Sequence, residues 1–79
     1  MQKSVHTRSY KVLCERLVAA RHAAGWTQTQ LAKRLGRPQS FVAKFERGER
    51  RIDLVEFLEI ADTLEMNVAR AIRAIRKST

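Results

Sequence analysis

The sequence has few of the residues that build disulfide-bonded or β-sheet proteins. Its 79 residues include one cysteine and one proline, and aromatic side chains make up only 6%. A single cysteine, Cys14, forms no internal disulfide, and no signal-peptide pattern is present, so we expect a reducing, cytoplasmic location. No apolar run approaches the roughly 20 residues that a membrane-spanning helix needs. We therefore expect no membrane partner.

The sequence also lacks the residue groupings that carry catalysis or hold a cofactor. It contains no Ser/His/Asp or Cys/His arrangement, no paired acidic cluster and no phosphate-binding glycine loop. His6, His22 and Cys14 are too scattered to predict a zinc site, and Cys14 is interpreted as a small core residue. We expect no enzymatic activity, no bound metal and no cofactor.

Positive charge is what the sequence has in excess. Sixteen Lys and Arg residues against eight Asp and Glu residues give a formal net charge of +8. A field of this sign predicts a polyanionic partner. Double-stranded DNA is favoured over RNA, because RNA-binding modules usually offer aromatic stacking platforms that are scarce here.

Apolar residues recur at helical spacing, and no alternating strand pattern stands out. We predict an all-α protein whose single small domain covers residues 10–76, because a chain of this length has room for one core. Residues 1–9 are expected to form a flexible arm and residues 77–79 a tail. The first amphipathic helix is predicted over residues 10–24 and the last over residues 68–76.

Local signals place the starts of two further helices. Thr27 with Gln30 is a capping box, in which each side chain bonds the other residue's backbone N–H, and Asp53 with Glu56 is a second. These boxes predict the beginnings of the second and fourth helices.

The third helix lies between two glycines. Gly36 ends the second helix, Pro38 permits a new start but no continuation, and Gly48 closes the third helix, predicted over residues 39–47. Two short helices therefore meet at a tight turn.

Residues 27–48, TQTQLAKRLGRPQSFVAKFERG, resemble the helix-turn-helix of the phage repressor and Cro-like (Xre-type) family. Ala32 is the small residue where the two helices cross, and Gly36 supplies the turn. The apolar residues that pack the pair in that family are matched by Leu31, Leu35, Val42 and Phe45. Arg37 departs from the small or branched apolar residue usual at its position. The resemblance extends over residues 10–64 and implies a compact five-helix bundle of the lambda-repressor-like type.

Arg21 lies in the middle of the apolar stripe of the first helix, where an unpaired charge is costly to bury. The helical wheel therefore predicts a carboxylate partner elsewhere in the fold. The family resemblance implies which one, because its members often pair this arginine with the glutamate that corresponds to Glu46. We predict a structural ion pair between Arg21 and Glu46.

The resemblance implies that the third helix enters the major groove of DNA with its N-terminal residues against base edges. The expected base-reading residues are Gln39, Ser40 and Lys44, with Ala43 available to a thymine methyl group. For Phe41 two interpretations stay open, contact with a thymine or packing against a neighbouring helix. Phosphates are expected to be held by Gln28, Arg37, Arg47 and Arg50.

A transcriptional regulator, acting by repression, is the function that this reading predicts. One motif reads half an operator, so a homodimer is expected, with Val68, Ile72 and Ile75 as its candidate interface. The same three residues could instead close the core of the monomer. The alternative function is an antitoxin or adaptor that uses the fold to bind a protein such as a toxin. Residues 1–9, with Lys3, His6 and Arg8, are either an arm around the duplex or a frayed tail.

Overall fold

The computed structural model describes residues 7–79, which form five α-helices and contain no strand. The predicted all-α fold is confirmed. None of these helices is long and apolar enough to cross a bilayer. The helices are α1 (Arg8–Ala24), α2 (Gln28–Leu35), α3 (Gln39–Glu46), α4 (Leu54–Thr63) and α5 (Val68–Lys77).

The first helix begins two residues earlier than the predicted Tyr10. The side-chain oxygen of Thr7 accepts a hydrogen bond from the backbone N–H of Tyr10 at 3.1 Å, which satisfies one of the free donors of the first turn. Arg8 and Ser9, assigned to the flexible arm by the sequence analysis, are therefore helical. The rest of the predicted arm, including Lys3 and His6, lies outside the described residues.

Both predicted capping boxes are present. At α2, the N–H of Gln30 donates to Thr27 Oγ1 at 3.1 Å, and the N–H of Thr27 donates to Gln30 Oε1 at 2.8 Å. At α4, the N–H of Glu56 donates to Asp53 Oδ1 at 2.7 Å, and the N–H of Asp53 donates to Glu56 Oε1 at 3.0 Å. The starts of α2 and α4 are thus set by residues three positions apart in the chain.

The turn between α2 and α3 is made by Gly36, Arg37 and Pro38. Gly36 has a φ of 69°, in the left-handed region, and the following N–H of Arg37 donates to the carbonyl of Ala32 at 3.0 Å. A β-carbon at Gly36 meets no atom within 4 Å, so the glycine is required by the backbone angle and not by space. Pro38 precedes α3 in an extended conformation, without a side-chain capping bond.

One core joins the helices. Its largest fully buried side chains are Leu17, Leu31, Val42, Phe45 and Ile60. The main packing contacts place α2 against α3 and α4, and place α1 against α3 and α5. Because α3 is held from behind by both α1 and α2, only its opposite face is left to solvent.

Candidate nucleic-acid interface

The pair α2 and α3 is closely packed where the helices cross. Ala32 is 2% exposed at this crossing, and Leu31, Val42 and Phe45 are fully buried beside it. A larger side chain at position 32 would push the two helices apart. The buried face of α3 is therefore anchored, and the helix is presented to solvent as a rigid element.

The outward face of α3 carries three exposed polar side chains, Gln39, Ser40 and Lys44. These are residues predicted to face base edges. Phe41 is buried and packs edge-on against Phe45 with ring centroids 5.4 Å apart, which favours the packing interpretation of Phe41. Ala43 is only 9% exposed, so little of its methyl group is left to contact a base.

A chain of hydrogen bonds links this outward face to the interior. Gln39 Nε2 donates to Gln28 Oε1 at 2.7 Å, and Gln28 Nε2 donates to Glu46 Oε1 at 2.9 Å. Glu46 also accepts from Arg21, whose Nε and Nη2 lie 2.7 and 3.0 Å from the two carboxylate oxygens. Side chains from α1, α2 and α3 are thus connected in one network.

The network determines which way the amide of Gln28 points. An ionised carboxylate only accepts hydrogen bonds, so Gln28 turns its NH2 group toward Glu46 and its carbonyl oxygen toward Gln39. Gln39 must then donate with one N–H and keeps its other N–H and its carbonyl oxygen free. One donor and one acceptor side by side are what an adenine edge requires in the major groove.

The ion pair at the inner end of this network is buried. The side chain of Arg21 is 10% exposed and that of Glu46 is 6% exposed. Arg21 Nη1 also donates to the carbonyl of Trp26 at 2.8 Å, and its Nη2 lies 3.2 Å from His22 Nε2. The structure brings together the two residues that the sequence analysis paired, and it surrounds the charges with hydrogen-bond partners.

Two of the three arginines predicted to hold phosphates meet at one carboxylate. Glu56 accepts from Arg50 Nη1 and Nη2, each at 3.2 Å, and from Arg37 Nη1 at 3.4 Å. Both guanidinium groups lie over the ring of Phe41, with Cζ at 4.8 Å (Arg50) and 4.6 Å (Arg37) from its centroid. The backbone N–H of Asp53 and the side chain of Arg50 lower the pKa of Glu56, which keeps this carboxylate ionised.

The third predicted phosphate-binding arginine, Arg47, also has a carboxylate partner. Its Nε lies 3.0 Å from Glu49 Oε2, both side chains are exposed, and this contact lowers the pKa of Glu49. A DNA phosphate that approaches one of these arginines must either displace the carboxylate from the guanidinium group or bind the guanidinium group together with it. Lys44, in contrast, forms no ion pair with any residue in 7–79.

Tyr10 positions the loop that carries Arg50. The hydroxyl of Tyr10 donates to the carbonyl of Arg50 at 2.8 Å and accepts from the buried N–H of Ile52 at 2.9 Å. Burial raises the pKa of Tyr10, so the hydroxyl remains protonated and able to donate. The sequence analysis began the first amphipathic helix at Tyr10 and missed this polar role, for which the helical pattern gives no signal.

The candidate interface on α5 is only partly free. Val68 is half-buried against the core and Ile75 is half-buried, whereas Ile72 is 42% exposed. Ala71 is the residue of α5 that is fully enclosed. Of the three residues, Val68 packs against the core of the monomer, and Ile72 remains open to a partner.

Comparison with known proteins places this geometry in a family. The family model described as "Helix-turn-helix domain" matches residues 12–74. An "XRE-family like protein" from Pseudomonas syringae pv. tomato str. DC3000 has a similar solved structure, with a TM-score of 0.83 and 41% sequence identity over 96% of this chain and 93% of that one. The fold and its exposed third helix therefore define a helix-turn-helix domain. The chain belongs to the Xre-type helix-turn-helix family.

Two curated relatives carry the name "Antitoxin HipB". Those of Escherichia coli K12 and of Escherichia coli O6:H1 (strain CFT073) are each 32% identical to the chain over 56 residues, or 71% of it. The matched segment spans 64% and 60% of the lengths of these two relatives.

Proposed function

We propose that the chain is a sequence-specific transcriptional regulator that binds double-stranded DNA as a homodimer and reads the major groove with α3. The observation that carries this proposal is the hydrogen-bonded presentation of Gln39, whose Nε2 lies 2.7 Å from Gln28 Oε1 while the rest of its amide faces solvent. Family membership and a net charge of +8 support it. The Xre-type fold is typically non-enzymatic, and no catalytic activity is proposed.

In this proposal Gln39 reads an adenine, Ser40 and Lys44 read neighbouring positions, and Ala43 contributes at most a small apolar contact. Gln28 holds a phosphate at the start of α2, where free backbone N–H groups add to its side chain. Arg37, Arg47 and Arg50 hold phosphates on the flanks. These flanking contacts position the protein and carry no direct sequence information.

Selection of bound duplexes from a random DNA pool tests the proposal. We expect one enriched site with two related half-sites, since a dimer presents α3 twice. Gln39→Ala should relax the preference at one base pair per half-site, by about 1–3 kcal/mol of discrimination. Lys44→Ala should relax another, whereas Lys33→Ala, which removes the same charge from an exposed position of α2, should leave the preference unchanged. A wild-type protein that enriches no sequence would overturn the proposal.

The salt dependence of binding tests the phosphate contacts separately. Three arginines per protomer give six phosphate contacts in a dimer, for which log K should fall with log salt with a slope of about −5. Between 50 and 200 mM salt the affinity should therefore drop by about a thousandfold. A flat response would contradict an electrostatic contribution from these residues.

Repression is the outcome of DNA binding that we propose. A reporter promoter that carries the selected site should lose expression when the chain is produced. Increased expression would show that the chain activates the promoter instead of repressing it, and the DNA-binding proposal would still stand.

A second candidate function is that of an antitoxin, favoured by the two relatives named "Antitoxin HipB". In that reading the chain binds a toxin in addition to DNA. Co-expression with the product of the adjacent gene tests it: the chain should rescue growth if that product is toxic. An adjacent product that is harmless alone would remove the support for this candidate.

A further inference from the structure

We propose that a second copy of the chain packs its α5 against α4 of the first copy, and the reverse, so that a two-fold axis buries two identical α4–α5 contacts. This inference rests on the proposed homodimer and names its interface. It differs from the prediction based on α5 alone, because the largest exposed apolar side chains of the described residues lie mainly on α4.

One surface of α4 combines apolar and acidic side chains. Leu54, Val55 and Leu58 are 69%, 66% and 39% exposed, which is unusual for large apolar residues clustered within five positions. Asp62 continues the row that Leu54 and Leu58 form at a spacing of four residues, and Glu59 flanks it. We call these five residues the α4 face. No basic residue occurs between positions 53 and 66.

The corresponding surface of α5 combines one apolar side chain with basic ones. Ile72 is 42% exposed, Arg76 lies one turn further along the same side of the helix, and Arg73 borders this side three residues before Arg76. We call these three residues the α5 face. No acidic residue occurs in α5, and within residues 7–79 neither Arg73, Arg76 nor Asp62 forms an ion pair, whereas Glu59 Oε1 lies 3.8 Å from Arg37 Nη2.

α4 and α5 run in opposite directions relative to α1, with α5 packed mainly on α1 and α4 packed mainly on α2. The chain just before α4 reaches the N-terminal end of α1, where Ile52 bonds Tyr10, and the end of α4 reaches the other end of α1, where Leu64 lines a cavity with Ala24. The chain then returns in α5 until Ile75 lines a cavity with Leu13 and Arg51. An acidic helix and a basic helix that run in opposite directions are complementary to the same pair turned by a two-fold rotation.

This charge complementarity points to a second copy as the occupant. Attraction between the α4 face and the α5 face steers and orients the contact, while the exposed apolar side chains provide its dry centre. The eight residues of the two faces are fewer than the roughly 20–30 residues that each partner contributes to a standard interface. The dimer is therefore expected to be weak in free solution and to become stable when both copies bind one DNA site.

Charge-reversed variants test the pairing. The acid variant carries Arg73→Glu and Arg76→Glu, and the base variant carries Asp62→Lys, which leaves the contact between Glu59 and Arg37 intact. In each variant alone, like charges meet at the α4–α5 contacts between the two copies. Each should therefore be monomeric in sedimentation experiments, either in free solution at a concentration where the wild type dimerises or on a DNA duplex that carries both half-sites. An equimolar mixture should form a heterodimer, because both of its α4–α5 contacts are attractive. Circular dichroism confirms that each variant is folded.

Leu58→Asp and Ile72→Asp test the apolar part, and each should weaken dimerisation about tenfold or more, which corresponds to about 1.4 kcal/mol. Glu15→Lys, an exposed charge reversal on α1, serves as the control and should not alter dimerisation. The interface would be overturned if the acid variant alone or the base variant alone dimerised like the wild type. It would also be overturned if the wild type remained monomeric on DNA. Retained selection of one DNA site in those experiments would show that the DNA-binding proposal stands independently.

Discussion

Glu46→Ala tests the role of the buried ion pair in holding α1 to α3. The substitution removes the carboxylate that accepts from Arg21 at 2.7 and 3.0 Å and leaves a guanidinium whose side chain is 10% exposed. Arg21 keeps only the carbonyl of Trp26 and the ring of His22 as partners. An uncompensated buried charge of this kind costs about 3–5 kcal/mol. A domain of 79 residues has a total stability of about 4–12 kcal/mol, so the loss is a large fraction.

Thermal unfolding followed by circular dichroism measures the effect. Each kcal/mol shifts the melting temperature of a domain this size by about 4–8 °C, so we expect a decrease of at least about 12 °C. Glu49→Ala is the matched control, because its partner Arg47 is exposed, and its melting temperature should stay unchanged. Arg21→Met combined with Glu46→Leu should recover most of the loss. An unchanged melting temperature for Glu46→Ala would refute the reasoning.

Three further predictions concern single contacts. Tyr10→Phe leaves the buried N–H of Ile52 without its partner and should lower the free energy of unfolding in urea by about 1–3 kcal/mol; no change would mean that water replaces the hydroxyl. The lowered pKa of Glu56 contributes stability above about pH 4.3 that is lost as the pH falls through the folded-state value, so the wild type should lose more stability between pH 5 and 3 than Glu56→Gln; parallel profiles would contradict this. Gly36→Ala should cost about 1–2 kcal/mol from backbone strain alone, because its β-carbon meets no neighbour, and a larger loss would indicate a clash.

The helix starts and stops were predictable because their causes are local. Both capping boxes and the glycine that ends α2 act within four residues of the positions they control. The beginning of α1 was placed two residues late, since Thr7 caps the helix without a glutamate or glutamine three residues later to signal it.

The pairing of Arg21 with Glu46 was only partly predictable from helical periodicity. Helical periodicity placed Arg21 in an apolar stripe and therefore required a partner, but it could not say which of the eight acidic residues that partner is. Only the family resemblance pointed to Glu46. The packing of α1 against α3 brings the two residues together across 25 positions of the chain.

The sequence by itself determined the five-helix pattern, the helix-turn-helix and the polar residues of α3 that face outward. The helix pattern follows from periodicity, capping and turn chemistry, each of which acts over a few residues, whereas the family resemblance identified the helix-turn-helix and the outward residues of α3. The tertiary structure decided that Gln28 orients Gln39, that Glu56 holds both Arg37 and Arg50, and that the largest exposed apolar side chains lie mainly on α4. These features depend on contacts between residues far apart in the chain, which exist only after the helices have packed.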